Sequence, residues 1–207
     1  MINYFPVTFI DLNIIQEKVL STILTHTNLK TSKFFYIPIR DALNIKELKN
    51  QINSLNLLKY IHSAAINIYP KGISPIHTDT NYGDFKFSLN IPISGYANTY
   101  LNYFEAHAEP KITVIERSVN FIEYDRESCT LIEKHETITP AIVNTDIPHS
   151  FNNPNDYTRI MLLLRLNKTF NGLAGLAGVE PTTFVSKTKM ISISPKTDKW
   201  YPVSDSN

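Results

Sequence analysis

The chain has a single cysteine, Cys129, among its 207 residues. An intramolecular disulfide is therefore impossible, and the fold does not depend on an oxidising compartment. The opening stretch, residues 1–12, lacks a basic segment followed by a long apolar run, so no secretory signal is expected there. No stretch approaches the about 18 consecutive apolar residues that a membrane-spanning helix needs. An excess of charge is missing as well: 20 Lys and Arg stand against 19 Asp and Glu, a formal net charge of +1. A near-neutral chain has no general attraction to a nucleic-acid backbone or an anionic membrane. Bulk charge thus argues against nucleic acid as a partner, while leaving room for a local basic groove. Together these absences predict a cytoplasmic protein without a membrane partner.

The hydrophobic fraction of 43% is ordinary for a globular protein. The length suits one domain with a sizeable core plus extensions. Near the start, Asp11 is placed to cap a helix. Its Ile14, Ile15, Val19, Leu20, Ile23 and Leu24 recur at three- and four-residue steps and make one apolar face. Residues 33–39 read as a short aromatic and β-branched strand. Asn44 with Glu47 has the form of a capping box, opening a helix that buries Ile45, Leu48, Ile52 and Leu55.

From Tyr60 to about Asn167 the character changes. Short runs rich in Ile, Val, Tyr, Phe and Thr alternate with turn residues such as Pro70, Gly72, Gly95 and Pro110. Strands are expected near 60–69, 73–78, 85–93, 98–104, 112–116, 119–124, 129–135, 140–145, 148–152 and 157–166. That spacing predicts a mainly β sandwich or barrel with helices packed on its outer face. The chain divides into an N-terminal extension (1–59), a β core (60–168) and a tail (169–207). Small residues from Asn171 to Gly178, then a segment rich in Ser, Thr and Lys, predict weak order in the tail.

Chemistry concentrates in the stretch Asn67 to Thr80, NIYPKGISPIHTDT. His77 and Asp79 are two apart, so on a strand imidazole and carboxylate project from one face. His149 follows on a late strand. Two histidines and one carboxylate make the facial triad of non-haem iron(II) sites. Three protein ligands on one face of an octahedron leave the other face for a bidentate 2-oxo acid and then O2. Ten residues after His149, Arg159 begins the strand RIMLLLRL. There Arg159, Met161, Leu163 and Arg165 share one face, and Ile160, Leu162, Leu164 and Leu166 share the other. Two arginines on so apolar a strand need partners. A guanidinium offers a planar fork to a carboxylate, and a bound 2-oxo acid is one such partner. The plain alternatives are a surface ion pair of Arg159 with Asp156 and an exposed strand end for Arg165. Asn67 and Tyr69 share a face, and Asn90, between Leu89 and Ile91, is an inward polar group. His26, His62, His107 and His135 are expected to be structural or exposed, and Cys129 a small buried hydrophobe.

The order H-x-D, then His, then Arg ten residues on resembles the iron(II)/2-oxoglutarate-dependent dioxygenase superfamily over about residues 60–167. The segment Asp146-Ile-Pro-His149-Ser-Phe-Asn152, followed by Arg159, is similar to the histidine–arginine segment of its aspartyl/asparaginyl and prolyl hydroxylase group. Ser88-Leu-Asn90-Ile-Pro92-Ile93 sits where that group has a strand ending in proline, but Ser88 and Asn90 replace its usual Arg and His. Asn67-Ile-Tyr69-Pro-Lys-Gly72 looks like a segment of nucleobase demethylases of the same superfamily. The resemblance implies a double-stranded β-helix, a jelly-roll, cupin-like barrel. It implies Fe(II) on His77, Asp79 and His149, and 2-oxoglutarate as co-substrate with O2. Arg159 would hold the far carboxylate, with Asn67, Tyr69, Asn90 and Arg165 as further contacts. The implied activity is hydroxylation of a C–H bond in an amino-acid side chain or small molecule, with a small-molecule or peptide partner. The alternatives are oxidative nucleobase demethylation and a catalytically silent, cupin-like metal or ligand carrier. In the tail, Gly175 to Phe184, GLAGVEPTTF, resembles the peptide read from a transfer-RNA gene.

Overall fold

A computed structural model describes residues 3–23, 33–79, 86–110, 112–116 and 119–171. The tail beyond Asn171, with its GLAGVEPTTF segment, and Leu24 and His26 of the first helix region lie outside the described residues. Strand β1 (Tyr4–Pro6) opens the chain. Asp11 stands at the N-cap of helix α1 (Leu12–Lys18), which continues as a π turn over Val19–Ile23. Ile15 and Val19 are buried, whereas Ile14 faces outward. Strand β2 (Lys33–Ile37) ends two residues early. Pro38 has no N–H for a ladder and instead occupies the N-cap of a short helix, α2 (Ile39–Leu43). Asn44 is the C-cap of α2, and helix α3 (Lys46–Ser54) starts with Ile45 at its N-cap, so the expected capping box is not built. The burial of Ile45, Leu48, Ile52 and Leu55 follows the sequence pattern.

Among the described residues eleven strands follow: β3 (Ile61–Tyr69), β4 (Gly72–Ile73), β5 (Ile76–Thr78), β6 (Phe87–Ser94), β7 (Tyr100–Ala106), β8 (Ile112–Glu116), β9 (Val119–Tyr124), β10 (Cys129–Glu136), β11 (Ala141–Asn144), β12 (His149–Asn153) and β13 (Arg159–Leu166). The expected strand at 73–78 is split into β4 and β5 around Pro75, which cannot donate to a ladder.

The strands form two antiparallel sheets. One runs β1-β11-β6-β13-β3-β2, the other β10-β7-β12-β5-β9-β8, with β4 added beside β12. This is a jelly-roll arrangement, mainly β with flanking helices. The N-terminal extension supplies both edge strands of the first sheet, β1 and β2. Among the described residues no helix is long and apolar enough to cross a membrane.

Two apolar clusters of unequal size explain where the site sits. The larger lies outside the barrel, between the first sheet and the helices. It gathers Ile160, Leu162, Leu164 and Leu166 of β13 with Ile66, Ile68, Leu89 and Ile91 of neighbouring strands and Ile15, Leu48 and Ile52 of the helices. The smaller lies inside and contains, among the described residues, Tyr4, Leu101, Tyr103, Ala141 and Val143, flanked by Ile147 and Phe151. Burial of apolar area, the main driving force for folding, is thus concentrated on the outer face of the first sheet. The interior holds the buried polar side chains Asn90, His149, Arg159 and Arg165 beside the smaller cluster. Phe170 seals the outer cluster, with ring centroids 5.3 Å from Tyr60 and 5.4 Å from Phe87. Gly95 ends β6 in the left-handed region at φ +61°, where a Cβ would stand 2.1 Å from the Thr158 carbonyl oxygen. That close approach fixes how the chain enters β13 at Arg159.

Candidate metal centre

His77 lies on β5, Asp79 follows it, and His149 opens β12. In the ladder between β5 and β12, His149 pairs directly with His77, so both imidazoles project from one face of the second sheet. The Asp79 N–H donates to the Thr145 carbonyl at 2.9 Å and pins the backbone there. One ligand atom from each of the three side chains falls within 4.8 Å of the others. The two rings stand 4.5 Å apart at 48°, and His77 Nε2 is 3.6 Å from Asp79 Oδ1. Nδ1 of His77 meets the Pro75 carbonyl at 2.9 Å, and Nδ1 of His149 meets the Ile147 carbonyl at 2.9 Å. A carbonyl only accepts, so Nδ1 carries the proton in both rings. Nε2 is thereby turned to the shared space as the ligand atom, the usual orientation device of metal-binding histidines.

Charges around the cluster are arranged for the same end. Arg165, on β13, donates to Asp79 Oδ2 at 3.0 Å. Burial alone would raise the Asp79 carboxyl, but Arg165, His149 and His77 outweigh it and hold the group below the usual carboxylate range. Burial pushes His149 down to about 4, reinforced by His77, so its imidazole is neutral and able to ligate. A donor set of two imidazoles and one carboxylate suits a divalent transition metal with coordination positions left over.

Arg159 presents a different situation from Arg165. It is 1% exposed, and Nε, Nη1 and Nη2 have no hydrogen-bond partner among the described residues. Its guanidinium lies 4.7 Å from the Phe151 ring centroid, a cation–π contact. Asp156 instead pairs with Lys71 at 2.8 Å, so the surface ion pair with Arg159 is not formed. Burial lowers Arg159 to about 9, and the groups that act on its charge in the other direction are the phenols of Tyr4 and Tyr69.

The other expected residues share this face. Tyr69 pairs with Arg159 across the β3–β13 ladder, and Asn67 pairs with Met161. Asn90 of β6 pairs with Leu163. The Oδ1 atoms of Asn67 and Asn90 are buried without a hydrogen-bond partner among the described residues. Arg165 faces the same interior, but it pairs with Asp79, and its guanidinium stands 6.0 Å from the Phe34 ring.

Two neighbours of Arg159 were not singled out in the sequence. Phe151 was legible in principle, since it lies two residues after His149 on the same strand face. Tyr4 comes from the other end of the chain, and no local pattern announces it. His107 meets Thr130, and His135 meets Glu133 and stacks on Tyr4, in keeping with structural roles. Cys129 is half-buried rather than buried.

Fold and site together define a jelly-roll barrel that carries a His-Asp-His cluster and, at Arg159, a buried guanidinium with no hydrogen-bond partner among the described residues. No protein-family model and no curated protein matches the chain. Among solved structures it is similar to AviO1 from Streptomyces viridochromogenes Tue57, at 15% identity over 80% of this chain and 89% of that one, with a TM-score of 0.45. EvdO2 from Micromonospora carbonacea var. aurantiaca matches at 10% identity over 80% and 85%, with a TM-score of 0.49. A Pseudomonas putida prolyl-4-hydroxylase matches at 12% identity over 80% and 92%, with a TM-score of 0.44.

Proposed function

We propose that the chain is a non-haem iron(II), 2-oxoglutarate-dependent dioxygenase that hydroxylates a C–H bond of an amino-acid side chain or a small molecule. The observation that carries this reading is the guanidinium of Arg159, without a hydrogen-bond partner among the described residues and fully buried on the interior face of the barrel that also holds the His-Asp-His cluster. A buried charge without a counter-charge is costly, and a bound carboxylate is the partner its planar fork fits. Two imidazoles and one carboxylate fit iron(II), which in this geometry retains positions for other ligands.

When bound, iron(II) supplies the redox chemistry by which O2 and 2-oxoglutarate are converted to succinate and CO2, with one oxygen atom inserted into the substrate C–H bond. The chain's own part is placement and electrostatics. His77, Asp79 and His149 hold the metal. The Nδ1 bonds to Pro75 and Ile147 fix the ring tautomers. Arg165 keeps Asp79 ionised and oriented. Arg159 anchors the far carboxylate of the co-substrate, over the Phe151 ring. Asn67, Tyr69 and Asn90 offer polar atoms to the rest of it along the same interior face. A cytoplasmic setting and a small-molecule or peptide substrate belong to the same proposal.

Anaerobic addition of iron(II) and then 2-oxoglutarate tests it. A visible metal-to-ligand charge-transfer band is expected, and admission of O2 with substrate should yield succinate in proportion to hydroxylated product. A metal-loaded protein with no such band and no 2-oxoglutarate binding would instead be a silent barrel.

A further inference from the structure

Strand β9 falls between β7 and β10 in the chain, yet it lies beyond β5 in the second sheet, next to the strand that carries His77. There Glu123 pairs directly with His77. Residues paired across an antiparallel ladder project from one face, so the Glu123 carboxylate shares the interior face with the ligand imidazole. It is half-buried, and it has no hydrogen bond or ion pair among the described residues. Glu123 is not one of the three clustered ligands. A partly desolvated carboxylate without a partner costs free energy that a bound cation would offset.

The first sheet supplies the other wall. On β2, Phe35 and Ile37 pack against the outer apolar cluster. Phe34 and Tyr36 therefore point the other way. Their ladder partners agree: Phe34 pairs with Asn67 and Tyr36 with Ala65, on the face that carries Arg159 and Arg165. The two rings meet edge to face, 5.5 Å apart at 88°. Phe34 is half-buried and Tyr36 is exposed, so the pair runs from the interior to the rim. One series of contacts joins this wall to Glu123 through the metal cluster. The Arg165 guanidinium stands 6.0 Å from Phe34 and donates to Asp79 at 3.0 Å. Asp79 is 3.6 Å from His77, the ladder partner of Glu123.

Arg165 is matched by Asp79, so its charge does not offset that of Glu123. Beside the cluster there remain a carboxylate and two aromatic rings. An aromatic face carries negative potential and attracts cations. A carboxylate only accepts hydrogen bonds. Both features favour a ligand of the same kind, one with a positive charge and N–H groups to donate, and both disfavour an anion.

We propose that Glu123, Phe34 and Tyr36 form the subsite for the substrate to be oxidised, and that they select an amino-acid side chain or small molecule carrying a protonated amine or a guanidinium. This rests on the oxygenase reading above and narrows its substrate class. Glu123 accepts the N–H groups of the cation, the two rings cover its alkyl stem, and the C–H bonds of that stem are held beside the metal site.

Calorimetric titration of the full chain, loaded with iron(II) and 2-oxoglutarate in the absence of O2, tests this. The cationic probes are Nα-acetyl-lysine amide and Nα-acetyl-arginine amide. Nα-acetyl-norleucine amide keeps an alkyl chain without the charge. Wild type should bind at least one cationic probe roughly ten- to a hundredfold more tightly than the norleucine probe, the value of a hydrogen bond to a charged group. Glu123→Gln should bring the cationic probe down to the norleucine level and leave the norleucine probe unchanged. Tyr36→Leu keeps apolar surface and removes the π face, so it should weaken the cationic probe alone, by roughly two- to tenfold. Thermal melting and an iron(II) titration accompany each variant. A wild type with no preference for either cation overturns the proposal, as does a preference that survives Glu123→Gln. An equal loss for all probes, or loss of iron(II) binding in Glu123→Gln, also overturns it, since either marks a structural or metal-holding role. The charge-transfer band of wild type with 2-oxoglutarate is read first. Its absence defeats the oxygenase reading, whereas a missing cation preference in a protein that shows the band defeats this proposal alone.

Discussion

Arg165 donates to Oδ2 of Asp79 at 3.0 Å, and Oδ1, the other oxygen, is the one that faces His77 at 3.6 Å. The bond therefore selects which carboxylate oxygen is offered to the metal, and it holds the group ionised. Arg165→Gln removes the charge and keeps a donor. Metal affinity should fall roughly ten- to a hundredfold, as for other partners of metal ligands. The Asp79 carboxyl rises without its cation, so protons compete with the metal at higher pH. The acidic midpoint of metal binding should accordingly move upward in the variant. A competition titration with a chromophoric chelator at several pH values reads both effects.

A second consequence concerns the metal-free protein. His149 is held at about 4 by burial and by His77, below the ordinary value near 6.5. Between those values the unfolded chain binds a proton that the folded one does not, so stability rises with pH across the window. Stability should thus be lost as pH falls from about 6.5 towards 4, with a slope from this residue of at most about 1.4 kcal/mol per pH unit. His149→Asn should flatten that part of the profile. Denaturant melts of the metal-free protein between pH 7 and 4.5 give the comparison.

Much of this was readable in the sequence because the relevant signals are periodic or closely spaced. Alternation along β13 separates Ile160, Leu162, Leu164 and Leu166 from Arg159 and Arg165. The two-residue step from His77 to Asp79 places both beside the site that His149 completes. What could not be read depends on pairing across the barrel. Parity puts both arginines inside, but only the fold brings Asp79 to Arg165 and Phe151 to Arg159. Tyr4 reaches His135 through the order of strands, which no local window encodes. The capping box at Asn44 failed for a local reason: α2 and α3 follow each other so closely that Asn44 finishes the first helix instead of starting the second.

Just past residue 168, Phe170 is 3% exposed and belongs to the main apolar cluster. Phe170→Ala should cost about 3–5 kcal/mol of stability, the usual range for emptying a buried aromatic site. A chain ending at Asn171 should correspondingly be more stable than one ending at Lys168. Chemical denaturation of the two truncations settles where the packed core stops.

The most direct test of the whole account is the pair of titrations, iron(II) alone and then 2-oxoglutarate into iron-loaded protein, for wild type, Arg159→Lys and Arg159→Ala. Lys keeps the charge and loses the fork, so 2-oxoglutarate binding should weaken. Ala should cost more, on the order of 2–5 kcal/mol, because the carboxylate loses a desolvated ion pair. Iron affinity without 2-oxoglutarate should be the same in all three, since the Arg159 guanidinium makes no hydrogen bond to His77, Asp79 or His149. A wild type that binds iron(II) but not 2-oxoglutarate, or an Arg159→Ala protein that binds 2-oxoglutarate as well as wild type, would contradict the assignment of this buried guanidinium as the co-substrate anchor.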